Sequence, residues 1–206
     1  MFDLPIFHNE RDVELPLLRQ FLRKNEASLS SVLDIGPWEQ GSTKICVEEA
    51  GYVDAIDPVR WPEVEKMVGI YYQENFLLAD LPYYDFVVCV STLEHIGVTP
   101  LPTKLYRECQ IEAFAKILEI IKRGAFITFP YGEDDFFAGQ YYNGNRKLLD
   151  DYLKLARNFK VYKKFISTPD HTDPESWREI PQDLADKATN ELSGGVNTIC
   201  VLEVYK

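Results

Sequence analysis

The chain has 206 residues, 46% hydrophobic and 27% charged, which suits one core-bearing domain and excludes a disordered tail. A formal net charge of −11 argues against nucleic acid or an anionic membrane as the main partner. Cys46, Cys89, Cys109 and Cys200 show no C-x-x-C pairing and sit in apolar stretches, so they read as reduced, buried thiols. With no bilayer-length apolar run, and no basic leader with a long apolar core in MFDLPIF, a cytoplasmic location is expected.

In chain order, residues 12–25 predict a helix with Leu15, Leu18, Phe21 and Leu22 on one face and Pro16 early enough to be tolerated. Val32-Leu33-Asp34-Ile35 is a short buried strand ending in Gly36, followed by a helix over 42–50 with Gly51 as its cap. Strands are expected at 52–57 and 69–73, with a short helix over 61–68 between them. Phe86–Val90 is apolar without alternation, as where both faces are covered. A long helix over 103–123 carries Ile111, Phe114, Leu118 and Ile121 in its apolar stripe and stops at Gly124. Strand 125–129, helix 146–158, strand 160–166, a Pro- and Asp-rich connection and strand 198–205 complete the chain.

This alternation predicts an α/β fold, a doubly wound and mostly parallel sheet with helices on both faces. One domain over 1–206 is expected, with a helical segment at 1–29 and an acceptor or lid region at 131–196. Ligands of such sheets bind beyond the carboxyl ends of the strands. Attention therefore falls on the loops at 36–42, 57–61, 73–76, 91–97 and 130–146.

The first of these, in VLDIGPWEQGSTK, admits three readings. A dinucleotide fingerprint would need glycine where Trp38 stands, and a P-loop would need Lys44 two places earlier. Both want free N–H donors and no nearby anion, whereas Pro37 removes a donor and Glu39 adds a charge. The third reading is a ligand without phosphate. Here Asp34 and Gly36 resemble the first motif of class I S-adenosylmethionine-dependent methyltransferases, a strand ending D-x-G. Trp38 and Gln40 occupy the usual places of later glycines, and Gly41 fits if the loop is one residue longer. A sulfonium cofactor is compatible with an acidic loop and an aromatic ring such as Trp38.

The segment YDFVVCVSTLEHIG, Tyr84 to Gly97, is similar to the fourth strand of that family, and the resemblance spans residues 30–130. It implies S-adenosyl-L-methionine as cofactor and a Rossmann-like sheet of seven strands in the order 3-2-1-4-5-7-6, the last antiparallel. It implies that Asp34, Gly36, Pro37, Trp38 and Gly41 cup the cofactor, with Asp57 on the ribose. Glu74 and Asn75 would contact the adenine, Asp80 being a rival, and Ser91 and Thr92 would pass close to the methionine. Asp57 is also a natural N-cap ahead of Pro58. Asp85 is expected to anchor the start of the strand, away from the cofactor.

An alcohol acceptor needs a base within reach. His95 is the first candidate, with Glu94 and Glu133 behind it, although the histidine also suits a structural turn. Tyr131, Asp134, Tyr141, Tyr142 and Asn143 are candidates for binding a hydroxyl-rich acceptor, or for packing onto their own loop. No metal is expected, since the adjacent acids Glu133, Asp134 and Asp135 would seldom converge. The leading expectation is O-methylation of a sugar or other small polar metabolite, with a homodimer left open. An idle member of the fold acting as a binding or assembly subunit is the alternative, and a nicotinamide oxidoreductase stands third.

Overall fold

A computed structural model describes residues 9–37, 41–97, 106–133, 143–170, 173–190 and 196–206. Its centre is one eight-stranded sheet: β1 Val32–Ile35, β2 Val53–Ile56, β3 Tyr71–Tyr72, β4 Tyr84–Val90, β5 Ile121–Pro130, β6 Lys160–Ser167, β7 Arg178–Ile180 and β8 Thr198–Tyr205. The helices are α1 Arg11–Lys24, α2 Gly41–Glu49, α3 Pro62–Glu65, α4 Tyr106–Ile120, α5 Arg146–Leu155 and α6 Gln182–Ala185. The strand order is β3-β2-β1-β4-β5-β8-β6-β7. Strands β3 through β5 run parallel, and β8 lies antiparallel between β5 and β6. This is a Rossmann-like doubly wound sheet with one strand more than expected, because part of the long final connection adds β7 to the outer edge of β6.

Alternation along the strands divides the core into two layers. Leu33, Val87, Cys89 and Ile127 face Phe114 and Ile117 of α4 and Leu149 and Tyr152 of α5. Val32, Phe86, Val88 and Phe126 face Leu18, Phe21 and Leu22 of α1 and Cys46 of α2. Every residue of β4 is buried, as its unbroken apolar run requires. Among the described residues no helix is long and apolar enough to cross a membrane.

Two local expectations need correction. The helix expected to reach Arg123 ends at Ile120, and β5 already begins at Ile121. Gly124 is not a helix cap: a Cβ there would press on the Val204 carbonyl and on Phe86, so glycine serves the close approach of β8. Between the Tyr84↔Ile121 and Phe86↔Gly124 pairs, β5 spends one extra residue, a bulge that leaves Lys122 and Arg123 exposed. The second correction is Cys109, which is only half-buried, whereas the other three thiols are buried.

Candidate functional site

A cleft of about 700 Å³ opens along the carboxyl edge of the sheet. Strand order sets out its wall. Asn75 and Phe76 follow β3, and Asp57, Val59 and Trp61 follow β2. Gly36 follows β1, Ser91, Thr92, Glu94 and His95 follow β4, Pro130 closes β5, and Val196 precedes β8. Glu10 and Arg11 at the start of α1 complete it. Parallel strands leave their following loops on one edge, which is why residues so far apart in sequence converge.

Gly36 has φ +69°, and any Cβ would overlap the side chain of Thr92. The turn after β1 and the turn after β4 therefore touch only because residue 36 is glycine. Asp57 is half-buried; burial pushes its carboxyl up, opposed by the Val59 N–H, which donates to Oδ1 at 2.7 Å. The Trp61 indole N–H is buried and completes no hydrogen bond among the described residues, yet lies close enough to favour ionised Asp57. Asn75 is exposed on the cleft wall beside buried Phe76.

Ser91 holds a left-handed backbone, φ +40°, which is strained for a residue with a side chain. Its N–H donates to Thr128 O and Oγ1 at 3.1 and 3.0 Å, and its hydroxyl donates to Glu14 Oε1 at 2.6 Å. Those bonds hold the turn that aims residues 92–95 into the cleft. His95 is exposed at the mouth, its position set by a 3-10 turn in which its N–H donates to Thr92 O. Glu94 is 2% exposed, and Oε2 has no partner among the described residues. Burial pushes its carboxyl well above the ordinary carboxylate range, which disfavours the ionised form that a general base needs.

Several sequence-derived candidates lie elsewhere. Asp34 turns into α2, where Oδ2 accepts from Ser42 Oγ at 2.9 Å and Thr43 Oγ1 at 2.6 Å. Complete burial pushes this carboxyl up to about 6, and the acid ties β1 to α2 rather than lining the cleft. Pro37, Gly41, Glu74 and Asp80 are not on the cleft wall either; Gly41 opens α2 against Leu15, and Glu74 and Asp80 point to solvent. Asp85 accepts from the Ser31 N–H at 3.1 Å and from the hydroxyls of Ser30 and Ser31, at the opposite end of β4.

Tyr131 and Asn143 are corrected from substrate ligands to structural ties. Tyr131 is fully buried against Phe165 and donates to Asp186 Oδ1 at 2.5 Å; Asn143 accepts from Asn190 Nδ2 at 2.9 Å. Glu133 is exposed and off the cleft wall, its N–H bound to the Ala188 carbonyl. Trp38, Asp134, Tyr141 and Tyr142 lie outside the described residues.

The contribution of α1 escaped the sequence reading. Arg11 and Glu14 stand seven and four residues before Leu18 and about one turn apart from each other, in register with the buried stripe through Phe21. Charged residues heading an apolar stripe were the available signal.

No protein-family profile and no curated protein matches the chain. Solved structures do. A magnesium protoporphyrin IX methyltransferase from Synechocystis with bound S-adenosylmethionine is 10% identical, with TM-score 0.61 over 95% of this chain and 79% of that one. An N-methyltransferase from Bradyrhizobium japonicum in complex with S-adenosylhomocysteine is 13% identical, with TM-score 0.58 over 96% and 87%. A 1,6-didemethyltoxoflavin-N1-methyltransferase from Burkholderia thailandensis is 16% identical, with TM-score 0.58 over 95% and 79%. At such identities the likeness is one of fold.

Proposed function

We propose that the chain is an S-adenosylmethionine-dependent methyltransferase that methylates an oxygen of a sugar or another small polar metabolite. The observation that carries this reading is the single cleft running from Asn75 and Asp57 past Gly36 to the Thr92–His95 turn. Neighbours of the same fold, solved with S-adenosylmethionine or S-adenosylhomocysteine, support it. The net charge of −11 favours a small-molecule acceptor over nucleic acid, and a cytoplasmic setting accords with the reduced thiols.

The residues present fit such a cofactor. Asp57 offers carboxylate acceptors to a pair of ribose hydroxyls, and its Val59 bond presets the orientation. Ile56, Trp61 and Phe76 supply apolar wall for a flat base, with Asn75 as its polar edge. Gly36 lets the Thr92 side chain close onto the turn after β1, so that both turns face the same cleft. When bound, the cofactor supplies a methyl carbon on positively charged sulfur, ready for in-line displacement. His95 is positioned to take the acceptor's hydroxyl proton on an imidazole nitrogen. Burial disfavours the ionised form of Glu94, which leaves His95 as the preferred base.

Calorimetric titration with S-adenosylhomocysteine tests the proposal. Saturable binding that Asp57→Ala weakens is the expected result, and no binding at millimolar ligand would remove it. Tight binding without transfer to any hydroxylated acceptor would favour a catalytically idle binding subunit.

A further inference from the structure

Arg11 holds donors that the fold does not use. Its Nη1 donates to Glu14 Oε2 at 3.0 Å and to the Val90 carbonyl at 3.0 Å. Those bonds occupy both Nη1 hydrogens. Nε–H and the Nη2 hydrogens, the side-on fork of the guanidinium, have no partner among the described residues. The side chain is 24% exposed and lines the cleft. A preset fork of this kind matches the two oxygens of a carboxylate or phosphate.

Its place in the sheet says which ligand it serves. The Val90 contact fixes Arg11 at the end of β4, and Pro130 of β5 and Val196 ahead of β8 line the wall beyond. Asp57 follows β2, two strands away across β1, roughly 10 Å at the usual strand spacing. The half of the cleft suited to ribose and base is thus remote from the fork. Nearby acids do not cancel it. Glu14 is ion-paired to Arg11 and accepts the Ser91 hydroxyl, and burial disfavours the charged form of Glu94. Glu10 borders the same wall, so general charge attracts no anion here and the two-point hydrogen bond must carry recognition.

We propose that Arg11 is a specificity-determining residue that grips an anionic group, a carboxylate or phosphate, on the acceptor. The inference rests on the methyl-transfer reading and narrows its substrate class.

The test uses the full chain, saturated with S-adenosylhomocysteine and also without it, titrated with benzoate and with inorganic phosphate. Arginine Nε–H resonances of nitrogen-15-labelled protein are the readout. Arg11→Lys keeps a cation for Glu14 but lacks the fork, and identifies the Arg11 signal by its loss. The double variant Arg11→Gln, Glu14→Gln removes the pair together and guards against a folding defect in the first. One probe should move the Arg11 signal, and its affinity should fall at least about tenfold in both variants. S-adenosylhomocysteine affinity should stay within about twofold in Arg11→Lys, which leaves Glu14 on the Ser91 hydroxyl. Equal probe affinity in wild type and variants overturns the proposal. A tenfold loss of S-adenosylhomocysteine affinity in Arg11→Lys also overturns it, by assigning the fork to the cofactor's own carboxylate. If the wild type binds no S-adenosylhomocysteine, the methyl-transfer reading fails, while the ligand-free arm still reports on the fork.

Discussion

The turns after β1, β2 and β4 and the segment after β5 leave the same edge of one sheet, but their polar side chains are spent differently. Around the cleft, Trp61 Nε1 and Glu94 Oε2 are buried without partners among the described residues, and Asp57 and His95 line the cavity. After β5 most of the polar groups are spent on one another, although Gln182 Nε2 is buried without a partner among the described residues. Tyr131 and Arg146 both donate to Asp186, at 2.5 and 2.9 Å, and Asn190 Oδ1 accepts from the N–H groups of Asn197 and Thr198 at 2.8 and 3.2 Å. A polar loop at the ligand-binding edge is thus not a site by virtue of its composition. Unused hydrogen-bonding capacity facing a cavity separates the two.

The largest effect expected from this contrast is on stability. Tyr131→Ala should lower the unfolding free energy by about 3–5 kcal/mol in urea titrations, since it empties a fully buried aromatic site. The folded fraction should still bind S-adenosylhomocysteine with wild-type affinity; a variant that stays stable but loses binding would put Tyr131 back in the site.

Asp34 supplies a pH test on the other side. Its folded-state value of about 6 stands above the ordinary 3.8, so the folded chain holds that proton more tightly across the window. Stability from this group is present below about pH 4 and declines as pH rises to about 6, by on the order of 2–3 kcal/mol, then levels off. Asp34→Asn should flatten this part of the stability–pH curve; an unchanged slope would mean that the buried carboxylate is ionised at little cost.

Asp57→Ala should weaken S-adenosylhomocysteine by at least about tenfold, the worth of a hydrogen bond to a charged group, with a thermal midpoint close to wild type. A drop in midpoint with unchanged affinity would make Asp57 no more than the acceptor that closes the turn onto Val59. The smallest effect is expected for Glu94→Gln, which keeps the size and removes a charge that burial disfavours, with stability within about 1 kcal/mol of wild type between pH 6 and 8. A gap that widens with pH would reveal an ionised Glu94.

Much of the scaffold was legible in the residues. The apolar runs at 32–35 and 86–90, the glycine at 36 and the acid at 57 each announce themselves within a few positions. The end of α4 did not. Ile121 suits a helical stripe and a strand equally, and only the nearness of the Val204 carbonyl shows that Gly124 belongs inside β5. Likewise, Tyr131 and Asn143 carry the chemistry of ligands, and nothing local tells that Asp186 and Asn190, some fifty residues later, would claim them.

Periodicity, turn residues and apolar runs are local properties, so the sequence alone determined the order of elements, the alternating architecture and the edge at which ligands would be met. Which side chains face that edge, and with which of their hydrogen bonds still unspent, depends on partners distant in the chain. That was decided only when α1 laid Arg11 and Glu14 against the end of β4, and when burial left Asp34 tied to α2 and made a charge on Glu94 costly.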